Sequence, residues 1–267
     1  MDIQLDSITV EKEQYTVFQN LSVTFREKRW TAVVGQNGVG KSTLLEVVKK
    51  LYKPKSGTVT APDNIGYLFQ HADAQFFEPT VEKELQFAPL HFGWSKEKIQ
   101  QGIAEVLEMV QLDASVLVKS PYQLSGGQKK RLALAVILIL QPTVLLVDEP
   151  TAGLDPMQKK MMLDVLKKWQ LQGNTLICIT HEMEEVLAYG DDVYMMKKTG
   201  DHQMKTVEEC FFKSPDSLLE AGLALPPSVA CFHDVQNRLQ TPLNPARTND
   251  KLLRSIVEGM KINGILD

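Results

Sequence analysis

Eight residues, Gly35-Gln36-Asn37-Gly38-Val39-Gly40-Lys41-Ser42, constrain this chain more than any other stretch. They match G-x-x-x-x-G-K-[ST] at every fixed position. The apolar run Thr31-Ala32-Val33-Val34 precedes them, and helical character follows over 41–51 until Pro54 and Gly57 end it. Strand, glycine-rich loop and helix in that order build an anion cradle. The glycines let the backbone curl so that its N–H groups converge on phosphate oxygens. The helix start adds a favourable dipole. Lys41 sets a point charge on β- and γ-phosphates, and the Ser42 hydroxyl is a ligand for Mg²⁺. Gly35, Asn37, Gly38, Gly40, Lys41, Ser42 and Thr43 are therefore the candidate nucleotide-binding residues. A glycine-rich turn with a chance lysine is the competing explanation. At ordinary residue frequencies that is roughly a one-in-a-hundred accident over a chain of this length.

A phosphate cradle needs a metal ligand and a group to handle water. Val144-Leu145-Leu146-Val147 is an apolar strand that ends in Asp148-Glu149. An acidic residue at the C-terminal end of such a strand stands where α/β sheets bind ligands. Asp148 fits the Mg²⁺ role, and Glu149 can orient or deprotonate an attacking water. Most Asp-Glu pairs are solvated surface; the apolar strand and the upstream loop favour chemistry here. His181 follows the next strand, 175–180, and its position at the same sheet edge lets it donate to a γ-phosphate or to Glu149. His71, His91, His202 and His233 have no such support and read as surface or packing residues, without metal-ligand spacing.

Around these motifs the chain alternates strands and helices, which indicates a mostly parallel α/β sheet. Ile3, Leu5, Ile8 and Val10, then Leu21, Val23 and Phe25, show partial period-two spacing and predict an antiparallel N-terminal β layer. Two short strands are expected over 58–69, around the Pro62-Asp63-Asn64 turn. Helices are expected across 79–118, up to Leu140 after a glycine pair, over 157–171 and over 182–189. Five prolines between Pro215 and Pro245 mark a change of texture. The expected division is 1–205 as one domain, with a helical subdomain at about 79–140, and 206–267 as a small, mostly helical extension.

Leu124-Ser125-Gly126-Gly127-Gln128 decides the family. With the phosphate loop and Leu146-Val147-Asp148-Glu149-Pro150-Thr151, in that family's order, it resembles the ATP-binding-cassette (ABC) ATPases over about residues 1–205. The resemblance implies an α/β phosphate-loop cassette that binds ATP and Mg²⁺. It assigns Gln70 to the glutamine loop, as a catalytic and Mg²⁺ contact beside Ser42 and Asp148. It assigns Asp155 in Ala152-Gly153-Leu154-Asp155 to the D-loop, and His181 to the switch histidine. Tyr15 is the candidate for stacking on adenine, with a turn residue as the alternative; Phe18 is expected in the core. Ser125, Gly126, Gly127 and Gln128 open a helix, and a helix start is a second anion site. The resemblance implies that this site closes over ATP held by another subunit, in a head-to-tail dimer with a second copy or a paralogue.

Gln70-His71-Ala72-Asp73-Ala74-Gln75-Phe76-Phe77, Thr80-Val81-Glu82-Lys83-Glu84-Leu85 and the Phe211-Phe212 and Ala221–Pro226 segments resemble the energy-coupling-factor branch. That branch implies two further partners: a transmembrane coupling subunit and a substrate-binding membrane subunit for a vitamin or metal ion. Gln75-Phe76-Phe77 is the candidate dock for a coupling helix, with core aromatics as the alternative. Gln36, Val39 and Ala72 depart from common family choices, at free positions. Composition agrees with a peripheral subunit. The longest apolar run, Leu132 to Leu140, has nine residues, whereas a spanning helix needs about 20. The N-terminus lacks a signal-peptide pattern, and Cys178, Cys210 and Cys231 show no paired spacing. These features lead us to expect a cytoplasmic protein at the membrane face. The alternative is a soluble ABC ATPase acting on nucleic acid or ribosomes; the net charge of −4 advertises no nucleic-acid partner.

Overall fold

The computed structural model describes residues 1–12, 15–70, 76–239 and 242–263. Two sheets organise it. Strands β1 (Ile3–Lys12), β2 (Tyr15–Phe25) and β4 (Ser56–Thr60) form the antiparallel layer in the order β2-β1-β4. Strands β3 (Trp30–Gly35), β5 (Ile65–Leu68), β6 (Val144–Asp148), β7 (Thr175–Ile179), β8 (Asp192–Met196) and β9 (Gln203–Thr206) form the second, ordered β5-β6-β7-β3-β8-β9. Its pairings are parallel except that of β8 with β9. The two strands expected within 58–69 thus belong to different sheets. The sequence reading named no strand after Thr180; β8 and β9 are additions.

Every residue of β3, β6, β7 and β8 is buried, as a sheet covered on both faces requires. Alternate side chains serve different layers. Val33, Leu146, Ile177 and Ile179 join Ile3, Leu5, Ile8 and Val10 of the antiparallel layer, and helix α1 (Lys41–Val48) lies between them with Leu44, Leu45, Val47 and Val48 buried. Helix α1 stops at Val48, short of the expected 51; Lys50 turns left-handed at φ 62°. On the opposite face Leu145, Val147, Leu176 and Cys178 pack with helices α2 (Val81–His91), α3 (Lys96–Met109), α4 (Gly126–Leu138) and α5 (Pro156–Leu171). Each of these four helices begins at a capping side chain: Thr80, Ser95, Ser125 or Asp155.

After helix α6 (Met183–Tyr189) and the β8–β9 pair come a short π-helical turn, Glu209–Lys213, and helices α7 (Asp216–Glu220), α8 (Pro227–Gln236) and α9 (Asn249–Ile262). These C-terminal elements share a core with the sheet: Phe211, Leu218, Val229, Phe232, Leu252 and Ile256 cluster with Ala32, Val34, Val193 and Met195. Because β6, β7 and β3 are adjacent and parallel, the phosphate loop, Asp148-Glu149 and His181 all emerge at one sheet edge.

Candidate active site

The loop 35–40 turns on two glycines. Gly35 has φ 149°, and a Cβ there would overlap the carbonyl oxygen of Met196. Gly40 has φ 103°, and a Cβ would come within 2.7 Å of Val17 Cγ1. Lys41 follows, nearly buried, and its Nζ donates to the carbonyls of Gly35 at 2.8 Å and Gln36 at 3.1 Å. Burial lowers the Lys41 pKa from its ordinary value, opposed by the charges of Glu149 and Asp148. The ammonium is therefore held inside the loop it must serve. Amides in the first turn of α1 have no acceptor within the helix and face outward as free donors.

A cavity of about 600 Å³ opens over this loop. Asn37, Gly38, Gly40, Lys41, Ser42 and Thr43 line one side; Gln70, Asp148, Glu149 and His181 line the other. Lys12, Tyr15, Val17 and Ile179 complete it. Tyr15 is exposed at the rim, and Phe18 is buried in the core as expected. Asp148 is buried, and its pKa is raised by desolvation, with the Ser42 hydrogen bond pulling the other way. Among the described residues no group of three or more His, Cys, Asp and Glu side chains gathers to hold a metal. The oxygen donors Ser42 and Asp148 meet here, which fits a hard cation that takes its remaining ligands from phosphate and water.

Glu149 is the hub. Its φ is 48°, left-handed for a residue that carries a side chain, at a cost of about 1–2 kcal/mol. Its amide donates to Ile179 O at 3.0 Å, tying the end of β6 to that of β7. One carboxylate oxygen accepts from Gln70 Nε2 at 2.8 Å, and the other lies 3.1 Å from His181 Nε2. Residues from two other segments, Gln70 and His181, thus converge on one carboxylate that opens to the cavity.

The second anion site is built differently. Ser125 caps α4: its hydroxyl accepts from Gln128 N at 3.3 Å, and Gln128 Oε1 accepts from Ser125 N at 3.0 Å. Gly127 lies against α5, where a Cβ would strike Gln158; Gly126 has open space beside it. Asp155 accepts from Gln158 N at 2.9 Å. None of Ser125, Gly126, Gly127, Gln128 or Asp155 is among the described residues that line the 600 Å³ cavity.

Several neighbours went unnamed in the sequence reading. Lys130 Nζ bonds to Ala152 O, and Thr151 and Thr180 both donate to Glu185. The one signal in the sequence is Glu185 four residues after His181, on the helix that begins at Met183. His202 Nδ1 accepts from Lys197 N and His233 packs near Phe211 O, as packing residues do. His71, Ala72 and Gln75 lie outside the described residues. Phe76 is buried and Phe77 exposed, so the aromatic pair divides between core and surface.

Fold and site together define a phosphate-loop nucleotide-binding protein. A family model described as ABC transporter matches residues 18–152. A second, described as AAA domain, putative AbiEii toxin, Type IV TA system, matches 118–188. The energy-coupling factor transporter ATP-binding protein EcfA2 of Staphylococcus aureus (strain bovine RF122 / ET3-1) is 33% identical, across 96% of this chain and 97% of that protein. The EcfA2 protein of Lactiplantibacillus plantarum is 36% identical, across 92% and 89%. Among solved structures, cbiO1 of Clostridium perfringens, part of the ABC transporter complex cbiONQ, superposes with TM-score 0.74 at 28% identity, covering 86% of this chain and 98% of that one. The cassette MJ0796, as a dimer in a post-hydrolysis state bound to ADP and Pi, gives TM-score 0.66 at 26% identity, covering 77% and 98%. The chain belongs to the ABC transporter family, as an ATP-binding, ATP-hydrolysing cassette similar to the energy-coupling-factor ATPases.

Proposed function

We propose that the chain is the ATPase subunit of an importer of the energy-coupling-factor type. ATP-driven closure of an ATPase dimer would power uptake of a vitamin or metal ion through membrane partner subunits. One observation carries this reading: the chain's two anion-binding helix starts do not share a cavity among the described residues. The start of α1 has the phosphate loop and the carboxylates. At the start of α4 the Gln128 amide is taken up by Ser125, and Ser125, Gly126 and Gln128 line no part of the phosphate-loop cavity among the described residues. A partner ATPase, second copy or paralogue, supplies what each half lacks.

The residues act in order. Lys41 leaves the carbonyls of Gly35 and Gln36 and pairs with β- and γ-phosphate oxygens, joined by the amides of Gly38 through Thr43. Tyr15 stacks on adenine. Ser42, Asp148 and Gln70 would hold Mg²⁺, which would supply positive charge against the charge that develops on the phosphates. Glu149 accepts a hydrogen bond from the attacking water and orients it in line with the γ-phosphate. His181 fixes the Glu149 carboxylate and donates to the γ-phosphate. Ser125, Gly126 and Gln128 of the partner close from the far side, and Asp155 lies at the dimer seam.

The division at 205/206 belongs to this reading: 1–205 is the cassette, with 79–140 as its helical subdomain, and 206–267 assists dimerisation. Leu253, Val257 and Ile262, exposed on α9, support such a contact. Phe77, Phe87, Leu90 and Phe92 are exposed together, beside a cavity of about 500 Å³ at α2, and support docking of a coupling helix from the transmembrane subunit. No helix among the described residues is long and apolar enough to cross a membrane. The place of action is then the cytoplasmic face of the cell membrane, as a peripheral subunit. A pull-down of the chain from detergent-solubilised membranes tests the reading. Recovery of membrane subunits and an ATPase partner is expected; recovery with ribosomes or DNA alone refutes it.

A further inference from the structure

Glu149 holds a strained turn, and such turns persist only where the surroundings over-determine them. Its own hydrogen bonds account for part of that restraint. The rest comes from a carboxyl four residues beyond His181. Glu185, on α6, accepts from Thr151 Oγ1 at 3.0 Å and from Thr180 Oγ1 at 3.2 Å, both at the same oxygen. Thr151 lies two residues after Glu149, and Thr180 one residue before His181. Both threonines are buried.

The threonines belong to loops leaving adjacent strands, β6 and β7. Without a shared acceptor, two buried hydroxyls would lack a common restraint. Glu185 supplies it, and the amide of Glu182 closes the same knot by donating to Thr180 Oγ1 at 3.1 Å. On the other side Lys130, from α4, bonds to the carbonyls of Pro150 and Ala152. The 150–152 segment is therefore gripped between α4 and α6. The second Glu185 oxygen is buried with no hydrogen-bond partner among the described residues, an arrangement that favours retention for a purpose other than stability. Desolvation raises the Glu185 pKa, opposed by the Thr151 hydrogen bond and the charge of Lys159, while Glu182 adds to the rise.

We propose that Glu185 is a positioning residue for ATP hydrolysis, acting through Thr151 and Thr180 to hold Glu149 and His181 in mutual register. Glu185 is not among the described residues that line the 600 Å³ cavity. This rests on the roles proposed above for Glu149 and His181, and the test separates the two. Kinetics are measured on the full chain with whatever subunits co-purify with it, using Mg²⁺ and ATP. Glu185→Ala should lower kcat at least about tenfold, since small misplacements near the chemistry are costly. Its KM for ATP should stay within about twofold, because the phosphate loop is untouched. Glu185→Gln keeps a carbonyl acceptor for both hydroxyls and should restore most of the turnover. Thr180→Val, a milder change, should repeat the kcat loss if Glu185→Ala does not fold. Unchanged kcat in Glu185→Ala or Thr180→Val, failure of Glu185→Gln to rescue, or parallel loss of kcat and ATP affinity overturns the proposal. Glu149→Gln and His181→Ala run alongside. If they lose turnover while Glu185→Ala keeps it, the positioning role alone fails; if they keep it, both readings fail.

Discussion

The two anion-binding helix starts are made of similar parts and finished to different degrees. At α1 Gly35 and Gly40 are packed, the lysine is buried on its own loop, and carboxylate, amide and imidazole converge on the cavity. At α4 the cap is satisfied by the motif itself, Ser125 with Gln128, and Gly126 faces open space. One end is assembled by its own chain; at the other, Gly127 packs on Gln158 of α5 while Gly126 stays open. An open, self-capped helix start favours an approaching anion. The difference teaches that the unit of function is larger than the chain.

The largest expected effect sharpens the finished end. Glu149→Gln removes the base while keeping the shape, and turnover should fall about 10²–10⁴-fold, read by phosphate release. Unchanged turnover would break the assignment. Next comes the unfinished end. Ser125→Arg should lower turnover about 10²-fold, as loss of a transition-state donor does, while ATP binding by the isolated chain is retained in a filter or fluorescence titration. A matched loss of binding would place both ends in one site. The smallest effects contrast glycines. Gly35→Ala forces a Cβ onto the Met196 carbonyl and should cost about 1–3 kcal/mol, seen in denaturant unfolding. Gly126→Ala meets nothing within 4 Å and should change stability by less than about 0.5 kcal/mol, yet slow turnover.

Much of this was legible because it is local. The phosphate loop, Leu124-Ser125-Gly126-Gly127-Gln128 and Asp148-Glu149 are contiguous strings whose spacing carries backbone meaning, and each falls on the element expected for it. What required the structure is contact between segments. Glu185 is one acid among several after His181 until the pairing of β6 with β7 brings Thr151 and Thr180 to it. Strand β8 was hidden by its acidic start: Asp192 is buried only because Arg26, at 2.5 Å, and Arg29 pair with it. Phe76 and Phe77 are alike in composition, and only strand and helix placement sends one inward and the other out.

The central claim is that the site is completed by another chain. Light scattering of the Glu149→Gln protein with and without Mg²⁺ and ATP, repeated with Ser125→Arg added, tests it most directly. The account predicts that ATP doubles the mass of the first, alone for a pair of like copies or mixed with the co-purified ATPase for a paralogue pair, whereas the second binds ATP and stays single. Association that ignores Ser125→Arg, or loss of ATP binding in a protein that never associates, would contradict it.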